Sequence, residues 1–189
     1  GDREGRRVLR LSYAYPEVQE HMLEVFREIL SYKPDGLCLA FIRGVPLVLY
    51  EEVMVDGYSK LHGEDPRELD EHDQRWLRYQ AGIINEFMSK VKSLLGPDQR
   101  LSVLIPGNFQ DCAAWGLDPE NWASEGIVDD FFPVGQNFTP EDVHVDDPYN
   151  LDFNRFLELR EQTDCRVIPM LYPWNLFASD YTSWRGLIH

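Results

Sequence analysis

The feature that most constrains this chain is an alternation. Short, nearly unbroken apolar runs are separated by longer stretches whose apolar residues recur at helical spacing. Val8–Tyr13 reads as a strand. Pro16 suits a first helical position, and Glu17 follows it in the electropositive first turn. Val18, Met22, Val25, Phe26, Ile29 and Leu30 then make one apolar stripe, which predicts a helix over 16–31. Lys33-Pro34-Asp35-Gly36 breaks it. The run Leu37–Ile42 has the composition of a strand buried on both faces, as parallel sheets require.

The segment from Arg43 to Asp70 is mixed and reads as a long loop, carrying Val45–Tyr50 and then Glu51-Glu52. Asp70–Asp73 supplies caps for a second long helix, whose buried side runs from Trp76 and Leu77 to Leu94 and Leu95 before Gly96-Pro97 stops it. Leu101–Pro106 is the next strand, Asp118-Pro119-Glu120 starts a short helix, and Ile127–Pro133 is a strand again. An acidic, proline-punctuated loop over 134–149 leads to a helix over 150–163 and a last strand, Arg166–Leu171. Strands separated by helices run parallel with right-handed crossovers. A nucleotide-binding open sheet would place a glycine-rich turn after its first strand. Tyr13-Ala14-Tyr15-Pro16 stands there instead, and no GxGxxG or Walker sequence occurs elsewhere. The expected fold class is therefore α/β, of the (β/α)8 TIM-barrel type, with about five parallel strands and with residues 1–189 as one barrel domain or fragment. A complete barrel takes about 250 residues. A partial one leaves open strand edges, which invite a second copy of the chain or covering loops.

Charge narrows the partners. Eighteen Lys and Arg against 33 Asp and Glu give a net charge of −15, which repels phosphate backbones and anionic membrane surfaces. No apolar run approaches the roughly 20 residues that span a bilayer, and the opening GDREGRR does not read as a signal peptide, although a leader already removed would leave no trace. The compartment stays open. Cys38, Cys112 and Cys165 are sparse, odd in number and far apart, which suits ordinary buried thiols rather than disulfides or a zinc cage. No cofactor motif is present. The five histidines form no HExxH pattern, and the acids Glu141, Asp142, Asp146, Asp147 and Asp152 lack EF-hand spacing, so no metal site is expected. No serine sits in a GxSxG elbow.

Two stretches carry a family resemblance. Pro16-Glu17-Val18, Glu28-Ile29, Tyr32 and Asp35-Gly36 resemble the PEVR…EI…Y-x-V-DG stretch of the family 10-like glycosyl hydrolases. Leu117-Asp118, Trp122, Gly126 and Val128-Asp129 are similar to that family's G-L-D…W…G-x-VD segment. The resemblance covers roughly residues 8–135. It implies a (β/α)8 barrel whose strands three to seven lie here, and a carbohydrate as the molecule acted upon. One departure is plain: where relatives follow DG with an acid at the end of the same strand, this chain has Ala40.

In barrel enzymes the chemistry sits where strands end, and residues that open strands serve stability. Asp35, Gly36, Asp129 and Asp130 open strands and are read as structural. Glycoside cleavage uses two carboxyl groups, about 5–5.5 Å apart for retention and further apart for inversion. Glu51 and Glu52 follow the apolar run Val45–Tyr50, which would desolvate Glu51 and favour its protonated form; two solvated surface glutamates are the competing reading. Asp111, in the loop after the strand 101–106, is the third catalytic candidate. Sugar rings need flat aromatic faces, and their hydroxyls need amides or guanidinium groups. Arg43, Tyr50, Asn108, Gln136, Asn137, Tyr172 and Trp174 stand at strand ends with that chemistry, whereas Trp76, Trp115 and Trp122 are expected in the core. The function expected is a glycoside hydrolase acting on an unidentified polysaccharide or glycoside. The alternative is a carbohydrate-binding or inactive barrel module.

Overall fold

The computed structural model describes residues 2–6, 8–43, 46–135 and 151–171. In chain order its elements are helix α1 (Pro16–Ser31), strand β1 (Gly36–Ala40), α2 (Glu52–His62), a single 3₁₀ turn (Pro66–Glu68), α3 (Gln74–Leu94), β2 (Arg100–Pro106), α4 (Phe109–Ala114), α5 (Pro119–Ser124), β3 (Asp130–Gly135), α6 (Phe153–Gln162), β4 (Arg166–Val167) and β5 (Met170–Leu171). The strands form one parallel sheet in the order β1-β2-β3-β4, with β5 also paired to β3. The fold is thus α/β, with a parallel sheet and helices in the connections from β1 to β2, β2 to β3 and β3 to β4.

Neighbours in the sheet are neighbours in sequence. Right-handed crossovers in a sheet so ordered all pass over the same face, and the burial pattern agrees. Leu37, Leu101, Val103, Ile105 and Phe131 are buried, in one cluster with Leu23 and Phe26 of α1, Ile84, Phe87, Met88 and Val91 of α3, Trp122 of α5 and Phe156 of α6. Each such side chain contributes about 1.5–3 kcal/mol through its removal from water. On the opposite face Cys38 and Ala40 are exposed, and Ser102, Leu104 and Phe132 are only partly covered. The run Leu37–Ile42 is therefore not buried on both faces as its composition suggests, and Cys38 is an exposed thiol while Cys112 and Cys165 are buried.

Three further expectations need correction. Val8–Tyr13 is not a strand: the Tyr13 N–H bonds Leu47 O at 3.1 Å, Ser12 Oγ accepts from Ala14 N–H at 3.2 Å, and β2 is the strand paired with β1 among the described residues. The alternation is present, but its hydrogen bonds go to a turn and a neighbouring loop. The last strand is interrupted at Pro169, which has no N–H to give to the ladder; the Ile168 N–H still reaches Phe131 O at 2.8 Å, and pairing resumes only at Met170. The region 43–70 is not loop throughout, since it contains α2, which Gly63 ends in the left-handed region at φ 75°.

The strand-opening acids lock the base of the sheet. Asp129 accepts from Lys92 Nζ and from the Leu101 N–H, both at 2.7 Å. Asp130 is 3% exposed and accepts from Arg100 on β2 (2.6 and 2.9 Å), Arg166 on β4 (2.6 and 3.0 Å) and Ser102 Oγ (3.1 Å). Burial by itself would raise this carboxyl, but the hydrogen bonds from Arg100, Arg166 and Ser102 outweigh it and hold the group well below the usual carboxylate range. At the other end of this base, Gly36 pairs opposite Arg100, and a Cβ there would lie closer than 3.0 Å to the Arg100 carbonyl oxygen. Only glycine lets β1 approach β2 this closely.

Two predictions follow from this base. Gly36→Ala must push β1 off β2 and should cost at least about 1–3 kcal/mol, the usual range for overpacking, read as a lower urea midpoint. Asp130 has its pKa depressed on folding, so its contribution is complete above the unfolded value near 3.9 and is lost as pH falls towards the folded value. Asp130→Asn should cost about 2–3 kcal/mol at pH 7, below the 3–5 of a fully buried pair because both arginines are partly exposed. It should also flatten the loss of stability below about pH 4; equal acid sensitivity in both proteins would contradict the assignment.

Candidate functional site

The connection from β1 to α2 leaves the end of the sheet where the strands finish. Phe41 ties its start to the sheet through its N–H to Leu104 O at 2.7 Å and packs its ring on Trp122, 5.9 Å between centroids. Arg43 follows and is exposed. Further on, two hydrogen bonds fix the path: the Leu47 carbonyl accepts from the Tyr13 N–H, and the Val48 carbonyl accepts from Nε2 of the buried Gln80 at 3.0 Å.

Glu51 closes this connection as the N-cap residue of α2, and Glu52 is that helix's first residue. Neither belongs to a free loop. Glu51 has extended backbone, its carbonyl accepts from the Met54 and Val55 N–H groups, and its side chain folds back so that Oε2 accepts from the Leu49 N–H at 2.8 Å. It is 7% exposed. What exposure remains opens on a pocket of 410 Å³ whose walls include Leu11, Ser12, Tyr15, Val18, Leu47 and Leu49. Ser12 is also buried there. Polar and apolar groups share its wall, Arg10 among them, and Glu51 is the one carboxylate there. Glu52 is exposed in the first turn, where its charge complements the helix dipole, and is not part of that wall.

Tyr50 faces elsewhere. Its ring stacks on Trp76 of α3 at 4.9 Å, and burial raises its hydroxyl above the ordinary tyrosine value. Trp76 in turn meets Tyr58 and Tyr79, and Tyr58 stacks on His62 at 4.2 Å. The ring that sequence assigns to a sugar is thus half-buried in a protein aromatic cluster.

Asn108 and Asp111 come together, but they occupy each other. The Asn108 Oδ1 accepts from the Asp111 N–H, and the Asn108 Nδ2 donates to the Asp111 Oδ2, both at 2.7 Å. The first bond is the N-cap that starts α4, and the second ties the two side chains together. Neither residue borders the Glu51 pocket. The four remaining sugar-binding candidates, Gln136, Asn137, Tyr172 and Trp174, lie outside the described residues.

A second groove, of 660 Å³, runs between the starts of α3, α5 and α6 and beside α4, with Phe109, Leu77 and Leu117 in its floor and His72, Arg78, Asp118, Asp152 and Arg155 around it. Asp118 accepts from the Asn121 N–H at 3.1 Å as the cap of α5. Asp152 accepts from the Phe109 N–H at 3.0 Å and gives its own N–H to Gly107 O at 2.8 Å, tying α6 to the end of β2. Arg155 lies 4.1 Å from the Phe109 ring centroid and pairs with Glu120. Sequence reasoning marks Asp118 as a cap and Asp152 as part of an acidic loop; their convergence had no sequence signal, because it depends on how helix starts crowd one rim.

The buried Cys112 has its thiol pushed well above the ordinary value by desolvation, so it is no nucleophile. Among the described residues no three His, Cys, Asp or Glu side chains converge on a possible cation position, and no helix is long and apolar enough to cross a membrane. Comparison with protein-family models and with curated proteins finds no match to this chain.

The capping assignment is directly testable. Asn108→Ala should lower stability by about 1 kcal/mol, the usual loss for such a cap, and Asp111→Ala should lose a similar part of it. In a double-mutant cycle by urea denaturation the two losses should not add; full additivity would mean that the pair does not act as a unit.

Proposed function

We propose that the chain is part of a (β/α)8-type barrel of the glycoside hydrolase kind, acting on a polysaccharide or glycoside, with Glu51 as the residue that handles the proton. The observation that carries this reading is the carboxylate of Glu51, almost fully buried in the wall of a 410 Å³ pocket. A carboxyl fixed in a pocket wall is placed to meet the leaving oxygen of a bound glycoside, as a general acid must be. The sequential parallel order, the one-sided helices and the resemblance over residues 8–135 support the barrel.

A second reading has its own support. Asp111 and Asn108 have each other as partners, and the exposed Ala40 stands at the end of β1 where relatives place an acid. On that reading the rim binds sugar without cleaving it. The test is release of reducing ends from a panel of soluble polysaccharides, by the wild type and by Glu51→Gln. The proposal expects the substitution to lower turnover by about 10²–10⁴-fold, the usual worth of a general acid, while binding is retained. Turnover of a confirmed glycan that ignores the substitution would remove Glu51 from the chemistry, and binding with no turnover in either protein would favour the second reading.

A further inference from the structure

The segment before α1 is out of keeping with its sequence. Leu9 is 84% exposed and Leu11 66%, in a run whose alternation is that of a strand. β1 meanwhile ends the sheet, with no strand paired to its outer edge among the described residues, and its Cys38 and Ala40 are exposed. The spacing joins these two facts. Two residues, Ala14 and Tyr15, separate the segment from α1, and four, Tyr32–Asp35, separate α1 from β1. Both are ordinary lengths for the connections of a parallel βαβ unit. The far end of the segment is already held in place, because the Tyr13 N–H bonds Leu47 O in the connection that follows β1.

We propose that residues 8–13 are a strap with two seats. In the first, seen here, Val8, Arg10, Leu11 and Ser12 wall the Glu51 pocket. In the second the strap lies parallel on the outer edge of β1, which pairs its backbone groups, turns Leu9 and Leu11 towards the helix side and withdraws one wall from Glu51. Edge pairing would give partners to the row of N–H and C=O groups for which β1 has none among the described residues on its outer edge, and alternation assigns Val8, Arg10 and Ser12 to the face of Cys38. The strap therefore governs access to the pocket. That consequence rests on the reading of the Glu51 pocket, whereas the two seats do not.

The edge also suits a second copy of the chain, so the test separates the two occupants and needs no glycan. Cys38 is the exposed thiol among the three cysteines. In Arg10→Cys the second seat brings two thiols to one face of adjacent strands, within the Cα separation of a disulfide. Treatment with diamide, which takes up the two thiol hydrogens, should then give an intrachain bridge visible as a faster-migrating monomer on non-reducing gels. Leu9→Cys, on the other face, should give at least tenfold less. Hydrogen exchange on the unmodified protein provides the second measurement, with the amides of 9–12 expected to be protected above the level of a freely exposed segment. Equal bridging at both positions, no bridging at either, or disulfide-linked dimers through Cys38 would each overturn the strap. None of these outcomes bears on whether Glu51 cleaves a glycan.

Discussion

One-sided burial is the constraint on which the rest of this structure depends. Parallel strands laid down in sequence order send every crossover over the same face, so that side of the sheet must be apolar. Leu101, Val103, Ile105 and Phe131 fill the covered side, while Cys38, Ala40 and Ser102 stand on the other. The sheet can take this form only because its base is fixed. Asp130 joins three strands through Arg100, Ser102 and Arg166, and Gly36 allows β1 to sit against the Arg100 carbonyl. The acids at strand starts thus serve cohesion.

The opposite rim is built from helix starts. The start of α2 places Glu51, Asn108 and Asp111 start α4, Asp118 starts α5, and Asp152 fastens α6 to the end of β2. Each of these carboxylates accepts a hydrogen bond that braces the rim, and burial is what separates Glu51 from the others. Asp111, Asp118 and Asp152 each cap or brace a helix start. Glu51 accepts only the Leu49 N–H among its hydrogen bonds described here and opens on a pocket. Its position follows from Gln80 and Tyr13, which hold the preceding turn by its carbonyls.

Much of the fold was legible in the sequence. Helices α1 and α3 announce themselves through Pro16, Asp73 and long apolar stripes, and the short helix α5 through Asp118-Pro119. Strands β1, β2 and β3 do so through unbroken apolar runs. α2 was hidden because Val53, Val55 and the mid-helix Gly57 disfavour a helix, which tertiary burial of Met54 and Tyr58 overrides. Val8–Tyr13 misleads in the opposite direction: its pattern is that of a strand, and pairing needs a partner that pattern cannot supply. The site was legible only as residue types. That Glu51 is buried, that Tyr50 leans on Trp76, and that Asn108 takes up Asp111 all depend on side-chain directions set by elements distant in sequence.

The proposed glycoside chemistry requires a carbohydrate lodged beside Glu51. Its most direct measurement is a crystal structure of the protein soaked with whichever oligosaccharide a glycan array identifies. The expected result is a sugar ring in the pocket between Leu47 and Tyr15, with a glycosidic oxygen within hydrogen-bond distance of the Glu51 carboxyl. An array with no bound glycan, or a sugar bound only in the groove beside Phe109 and Arg155, would contradict it.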